Sequence, residues 1–226
     1  MMRKIFKKIA SVCKILIYKL TKLSLSCHVQ LSLAPQAHIQ LVRGNRLRFG
    51  ALSKLIMHQR SQIICSGSFV FGDNCTVILH EGSKLYLGDH SWCLHGCWIE
   101  VGKGQTLTLG DRVTLQLRCS LHGEIYIGDD CLFAPDIYIS SGSHSFDRNP
   151  THTIRTQDSK YPFTAKPVSI SSNCWLGIRT FVAPGVRLGE GTVTGANSVL
   201  LADTDQFSVY AGVPAKKLRS YLADSI

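Results

Sequence analysis

His144 stands in the segment Ser-Gly-Ser-His-Ser-Phe-Asp (141–147), at the start of a polar stretch, 145–166, that carries Pro150 and Pro162. An imidazole titrates near neutrality, so it can take a proton from a weakly acidic hydroxyl and pass it on. Long polar excursions in compact folds are commonly functional. The residues alone also allow a plain solvent-facing loop histidine. Ser143 lacks the glycine pattern of a nucleophile elbow, and Cys174 falls where an inward or corner residue is expected. A second grouping lies in Gly-Val-Pro-Ala-Lys-Lys-Leu-Arg (212–219), where Lys216, Lys217 and Arg219 follow a rigid turn. Such a cluster suits phosphate oxygens, or is a solvated charged end. A third lies in 113–118, where Thr114, Gln116 and Arg118 alternate with Val113, Leu115 and Leu117, a pattern that puts the polar set on one face of a strand. Arg118 suits an anionic ligand or a pair with Glu124.

The elements that must position these groups show in a period of six. From residue 170 the chain reads ISSNCW, LGIRTF, VAPGVR, LGEGTV, TGANSV, LLADTD, with Ile170, Leu176, Val182, Leu188, Thr194 and Leu200 in first place. A helix wants apolar residues three and four apart and a plain strand two apart. Period six means a chain that turns a corner every six residues, three sides to a coil, with coils stacked into a solenoid. Upstream the rhythm is looser: FVFGDN (69–74), LYLGDH (85–90), LTLGDR (107–112) and IYIGDD (125–130). The last two are one 18-residue coil apart, and the intervals of 16 and 22 imply trimmed or extended corners. Glycine at a corner permits positive φ, and Asn or Asp beside it tolerates the left-handed region.

The chain of 226 residues is long enough to bury a core, and its 45% apolar and 18% charged content excludes wholesale disorder. No apolar run reaches the roughly 18 residues that span a bilayer. The net charge of +10 is unevenly placed: residues 1–72 hold twelve Lys/Arg and no acid, while 73–226 are slightly acidic. A nucleic-acid surface over the whole molecule is therefore not indicated. Residues 3–23 read as an uncleaved basic amphipathic helix. Arg3, Lys4, Lys7, Lys8, Lys14, Lys19 and Lys22 lie on one side and mostly aliphatic residues on the other, which suits an anionic membrane surface or packing on the protein's own body. Nine cysteines, an odd count, read as small buried residues in a reduced cytosolic compartment, with no metal set in prospect.

The segments FAPDIYISSGSHSFD (133–147), WLGIRTFVAPGVRLGEGTVTGANSVL (175–200) and AGVPAKKLR (211–219) resemble the hexapeptide-repeat acetyltransferases. Within them, the resemblance is to the sugar and polysaccharide O-acetyltransferases of the galactoside/maltose acetyltransferase group. It implies an all-β solenoid, a left-handed parallel β-helix over residues 65–220 with the loop 145–166 thrown out. Residues 1–26 would form the amphipathic arm, 27–64 a lead-in with irregular first coils, and 221–226 a tail. The resemblance makes His144 the base for direct transfer from acetyl-CoA, with a main-chain N–H at Ile178 for the developing oxyanion. It places Trp175, Arg179, Gly195, Ala196, Lys216, Lys217 and Arg219 near the cofactor. Gln116 falls where the family has an amide that grips the sugar, usually Asn. With Arg118, Asp136 and Asp147 it makes up the acceptor side, and either aspartate is a candidate to orient the imidazole.

The resemblance further implies a homotrimer with active sites between copies and, with the arm, a place on the inner face of a bacterial membrane. The acceptor would be a sugar hydroxyl of a surface polysaccharide, capsule or lipopolysaccharide, or of its precursor. Three rivals share the fold: N-acetylation of an amino sugar nucleotide, a nonenzymatic scaffold, and a carbonic-anhydrase-like hydratase with zinc on His90, His95 and His122.

Overall fold

All six first positions of the hexads, Ile170 through Leu200, point inward and are at most 2% exposed. The computed structural model describes residues 23–42, 45–162 and 164–221. The chain climbs as a parallel β-helix whose short strands stack into three sheets of ten, eight and seven members, here called A, B and C. Each coil gives one strand to each sheet in the order A, B, C. The coil around Trp98, for example, consists of Ser91–Cys93, Trp98–Val101 and Thr106–Leu109. Within a strand, alternate residues point in and out: Ile99 and Val101 are buried while Trp98 is exposed. Each fully buried aliphatic side chain stabilises the column by about 1.5–3 kcal/mol. Phe71 stacks on Phe49 of the coil below at 4.7 Å.

The repeated Gly-Asp phrase works differently from the expectation. Gly72, Gly88, Gly110 and Gly128 do not take positive φ; Asn74, His90, Arg112 and Asp130, two residues on, do. The glycines are needed for closeness. A Cβ on Gly88 would lie 2.3 Å from the backbone of Gly110 in the next coil. The aspartates bind coil to coil: Asp89 Oδ1 accepts the Ser68 N–H at 2.6 Å, Asp111 that of Asp89 at 2.7 Å, and Asp129 that of Asp111 at 2.8 Å.

The coils also start earlier than expected. Leu23–Leu25 is already a strand of sheet A, paired with Leu47–Phe49, and the first coils expected within 27–64 carry paired strands of all three sheets. Of the helical arm expected over residues 1–26, residues 1–22 lie outside the described residues, and Leu23–Leu25 is strand rather than helix. Upstream coils are wider than downstream ones. Phe69 pairs with both Leu47 and Ser91, a 22-residue coil, whereas Thr114 pairs with Leu132 across 18. FVFGDN follows sheet A and LYLGDH follows sheet C, so their 16-residue interval joins two different sides and is not a trimmed coil. Seven of the eight described cysteines are buried and Cys27 is exposed. Cys174 is 1% exposed inside the core.

Gly88→Ala should lower stability by about 1–3 kcal/mol through overpacking between coils, read as a fall in the thermal midpoint. A midpoint unchanged from the unsubstituted protein would show that the coils can part to admit a methyl group.

Candidate active site

His144 sits where the chain leaves the solenoid between sheets B and C. The strand Tyr138–Ser140 belongs to sheet B, the chain rejoins sheet C at Val168–Ile170, and the excursion between them carries a short helix, α1 (Ile154–Lys160). Thr153 caps α1 by accepting the Thr156 N–H. Gln157, 2% exposed, ties the loop to itself: its Oε1 accepts the N–H groups of Arg148 at 2.8 Å and Asn149 at 2.9 Å, and its Nε2 donates to the His152 carbonyl at 3.2 Å.

That anchoring presents the next residue, Asp158, to the histidine. Asp158 Oδ2 lies 3.0 Å from His144 Nδ1, and Oδ1 accepts the Ser145 N–H at 3.1 Å. A carboxylate can only accept here, so Nδ1 carries a proton, and in the neutral ring the lone pair is on Nε2, facing a reacting hydroxyl. The bond from His144, then that from Ser145, holds the Asp158 carboxyl below the usual carboxylate range. Asp158 was not among the expected partners. Asp147, expected as one, is exposed and among the described residues pairs with Arg148 alone, at 4.0 Å. Asp136 pairs with Arg118 at 2.7 Å. The signal for Asp158 was present as Thr-Ile-Arg-Thr-Gln-Asp, a capped helical turn inside the excursion.

His144 lines a groove of about 510 Å³ along the margin of sheets B and C, together with His80, Glu100, Gln105, His122 and Tyr138. The other expected residues lie elsewhere. Ile178 and Arg179 form the corner between sheets A and B, and Gly195 and Ala196 the same corner one coil on. The Ile178 N–H finds no acceptor among the described residues, as is true of Leu117 and Ala196 at equivalent corners. Trp175 is 55% exposed on the outer face of sheet A, so it does not cap the core beneath the loop. Lys216 and Arg219 lie exposed on the strand Ala215–Ser220 at the edge of sheet A and make no ion pair among the described residues. Lys217 is held by Asp205 at 2.8 Å.

Gln116 and Arg118 are also at the A–B margin. The strand there ends at Leu115 and Thr114 is buried, so the polar set expected over 113–118 does not share one face. Arg118 pairs with Asp136, not Glu124, and Arg179 also acts on that carboxylate. The three histidines of the hydratase reading are apart. His90 pairs with Asp89 at a C–A corner, His95 with Asp73 at an A–B corner, and His122 is on sheet B.

No protein-family model matches the chain. It is 33% identical over 136 residues to a colanic acid biosynthesis acetyltransferase, so named, of Escherichia coli K12, a match covering 60% of this chain and 58% of the relative. It is 34% identical over 95 residues to the galactoside O-acetyltransferase of the same organism, covering 42% of this chain and 43% of that one. The chain thus spans about half the length of the curated relatives it matches. A solved polysialic-acid-specific acetyltransferase aligns over 91% of each chain at 24% identity with a TM-score of 0.44. The resemblance carried by the hexads and the His144 segment agrees with these relatives: the chain is similar to the hexapeptide-repeat acetyltransferases. Among them the sugar and polysaccharide O-acetyltransferases are represented.

Because the folded-state pKa of Asp158 is depressed, its bonds to His144 and Ser145 hold above the ordinary carboxylate value of about 3.9 and are lost as pH falls through the lower folded value. Hydrogen exchange at the Ser145 amide, corrected for intrinsic rate, should speed up across that acid window, and Asp158→Asn should remove the transition. A transition that persists in the variant would place its cause elsewhere.

Proposed function

We propose that this chain transfers an acetyl group from acetyl-CoA to a sugar hydroxyl of a bacterial surface polysaccharide or its precursor, with His144 as general base. The observation that carries the reading is the Asp158–His144 pair: a fixed Nδ1–H, an available Nε2, and a groove alongside. The acceptor hydroxyl gives its proton to Nε2 as its oxygen attacks the thioester carbonyl. The tetrahedral intermediate then collapses, and the imidazolium returns the proton to the departing CoA thiolate. A main-chain N–H such as that of Ile178 stabilises the oxyanion. The acetyltransferase relatives support this class of reaction.

Within one chain His144 and Ile178 occupy opposite margins of sheet B. A three-fold assembly that turns sheet B toward its neighbours sets the B–C margin of one copy against the A–B margin of the next. Lys216 and Arg219, which make no ion pair among the described residues, would then meet the phosphates of CoA, with Trp175, Arg179, Gly195 and Ala196 along its length. The basic segment 3–23 would hold the enzyme on the inner face of the membrane, where lipid-linked glycans are assembled.

His144→Ala should cut transfer by about 10²–10⁴-fold, measured with labelled acetyl-CoA because the many thiols confound reagents that detect free CoA. Full transfer by the variant would remove His144 from the mechanism. Replacing Lys216 and Arg219 together with alanine should raise the KM for acetyl-CoA with little change in kcat; an unchanged KM would dismiss the clamp.

A further inference from the structure

The groove beside His144 contains a built receptor that the transfer reaction itself does not need. Sheet B places Glu100 directly between Ile78 and His122 in register, with Trp98 two residues back on the same outer face. Glu100 Oε1 lies 2.8 Å from His80 Nε2, Oε2 accepts the Trp98 indole N–H at 3.2 Å, and His122 Nδ1 stands 3.8 Å away. Its side chain remains 32% exposed. Burial pushes the Glu100 pKa up, but the bonds from His80 and Trp98 outweigh it and keep the group ionised. Partial burial lowers the His122 pKa against the pull of Glu100.

Lysine and arginine are missing from the groove lining among the described residues. Arg118, which would suit an acidic glycan, is spent on Asp136 at the other margin of sheet B.

Resting on the acetyl-transfer reading, we propose that Glu100, supported by His80, His122 and Trp98, is the subsite for a neutral sugar adjoining the one acetylated at His144. An ionised carboxylate with open lone pairs takes two neighbouring sugar hydroxyls as donors. The Trp98 and Tyr138 rings offer apolar faces to the C–H side of a pyranose. Glu100 and the strand leading to His144 are two coils apart, about 10 Å at the strand spacing, which is the reach of two linked sugars and not of one. A uronic acid or phosphosugar at the Glu100 position meets a like charge, and no lysine or arginine among the described residues lines the groove to offset it. The site therefore selects by charge as well as shape.

The test uses the full chain carrying His144→Ala, without acetyl-CoA, so that binding is read independently of chemistry. Saturation-transfer NMR compares a panel of neutral di- and trisaccharides with the same compounds oxidised to their uronic acids. Neutral members should bind at least about tenfold more tightly than their acidic partners, and Glu100→Gln should weaken the neutral ones by about tenfold, the scale of a charge-assisted hydrogen bond, while narrowing the difference. Trp98→Phe, which loses only the indole donor and keeps an aromatic ring, should weaken them less. Equal or tighter binding of the acidic partners overturns the proposal. So does unchanged affinity in Glu100→Gln, or no binding by any neutral member. Failure of the catalytic reading shows differently, as undiminished transfer by His144→Ala in a chain whose saccharide affinity is intact.

Discussion

Every part of this molecule depends on how closely successive coils approach. Parallel strands hydrogen-bond at about 4.8 Å, and at the corners that spacing leaves no room for a side chain on the inner turn. Glycine meets the steric demand and the following aspartate satisfies the N–H of the adjoining coil. The positive φ that turns the corner is carried two residues later by whatever residue stands there, including His90 and Arg112. Close approach and chain reversal are thus handled by different residues. The corner therefore accepts varied side chains at its outer position while the inner one stays fixed.

That framework decides what the candidate site can be. Sheet B is a rigid ledge with the loop histidine along one margin and, along the other, the corner amide of Ile178, which has no acceptor among the described residues. The loop is not slack. Gln157 gathers two backbone amides and a carbonyl, and Asp158, one residue on, grips both the imidazole and the backbone beside it. An 81% exposed histidine side chain is held by this arrangement and not by burial. Charges at the A–B margin, by contrast, satisfy one another through Arg118, Asp136 and Arg179.

The downstream solenoid was legible because hexads with short corners keep strict phase, so aliphatic first positions announce themselves. Upstream, corners between sheets B and C gain residues, as in Gly102-Lys103-Gly104-Gln105, and the phase slips. Residues 23–64 lost their rhythm for that reason although their strands pair as regularly as the rest. His144 was legible from its position at the break in the pattern. Asp158 was not, because its role depends on a short helix folding back across fourteen residues. The split of the expected residues between two margins was equally hidden, since a period specifies a coil and not which side faces a neighbour.

The last strand of sheet A, Ala215–Ser220, runs backwards against Ser208–Gly212, unlike the parallel pairs below it. A reversed strand breaks the parallel coiling, so sheet A ends its regular rungs on a change of direction. Its outward row of cations puts like charges on that rim, and these disfavour the meeting of two such rims.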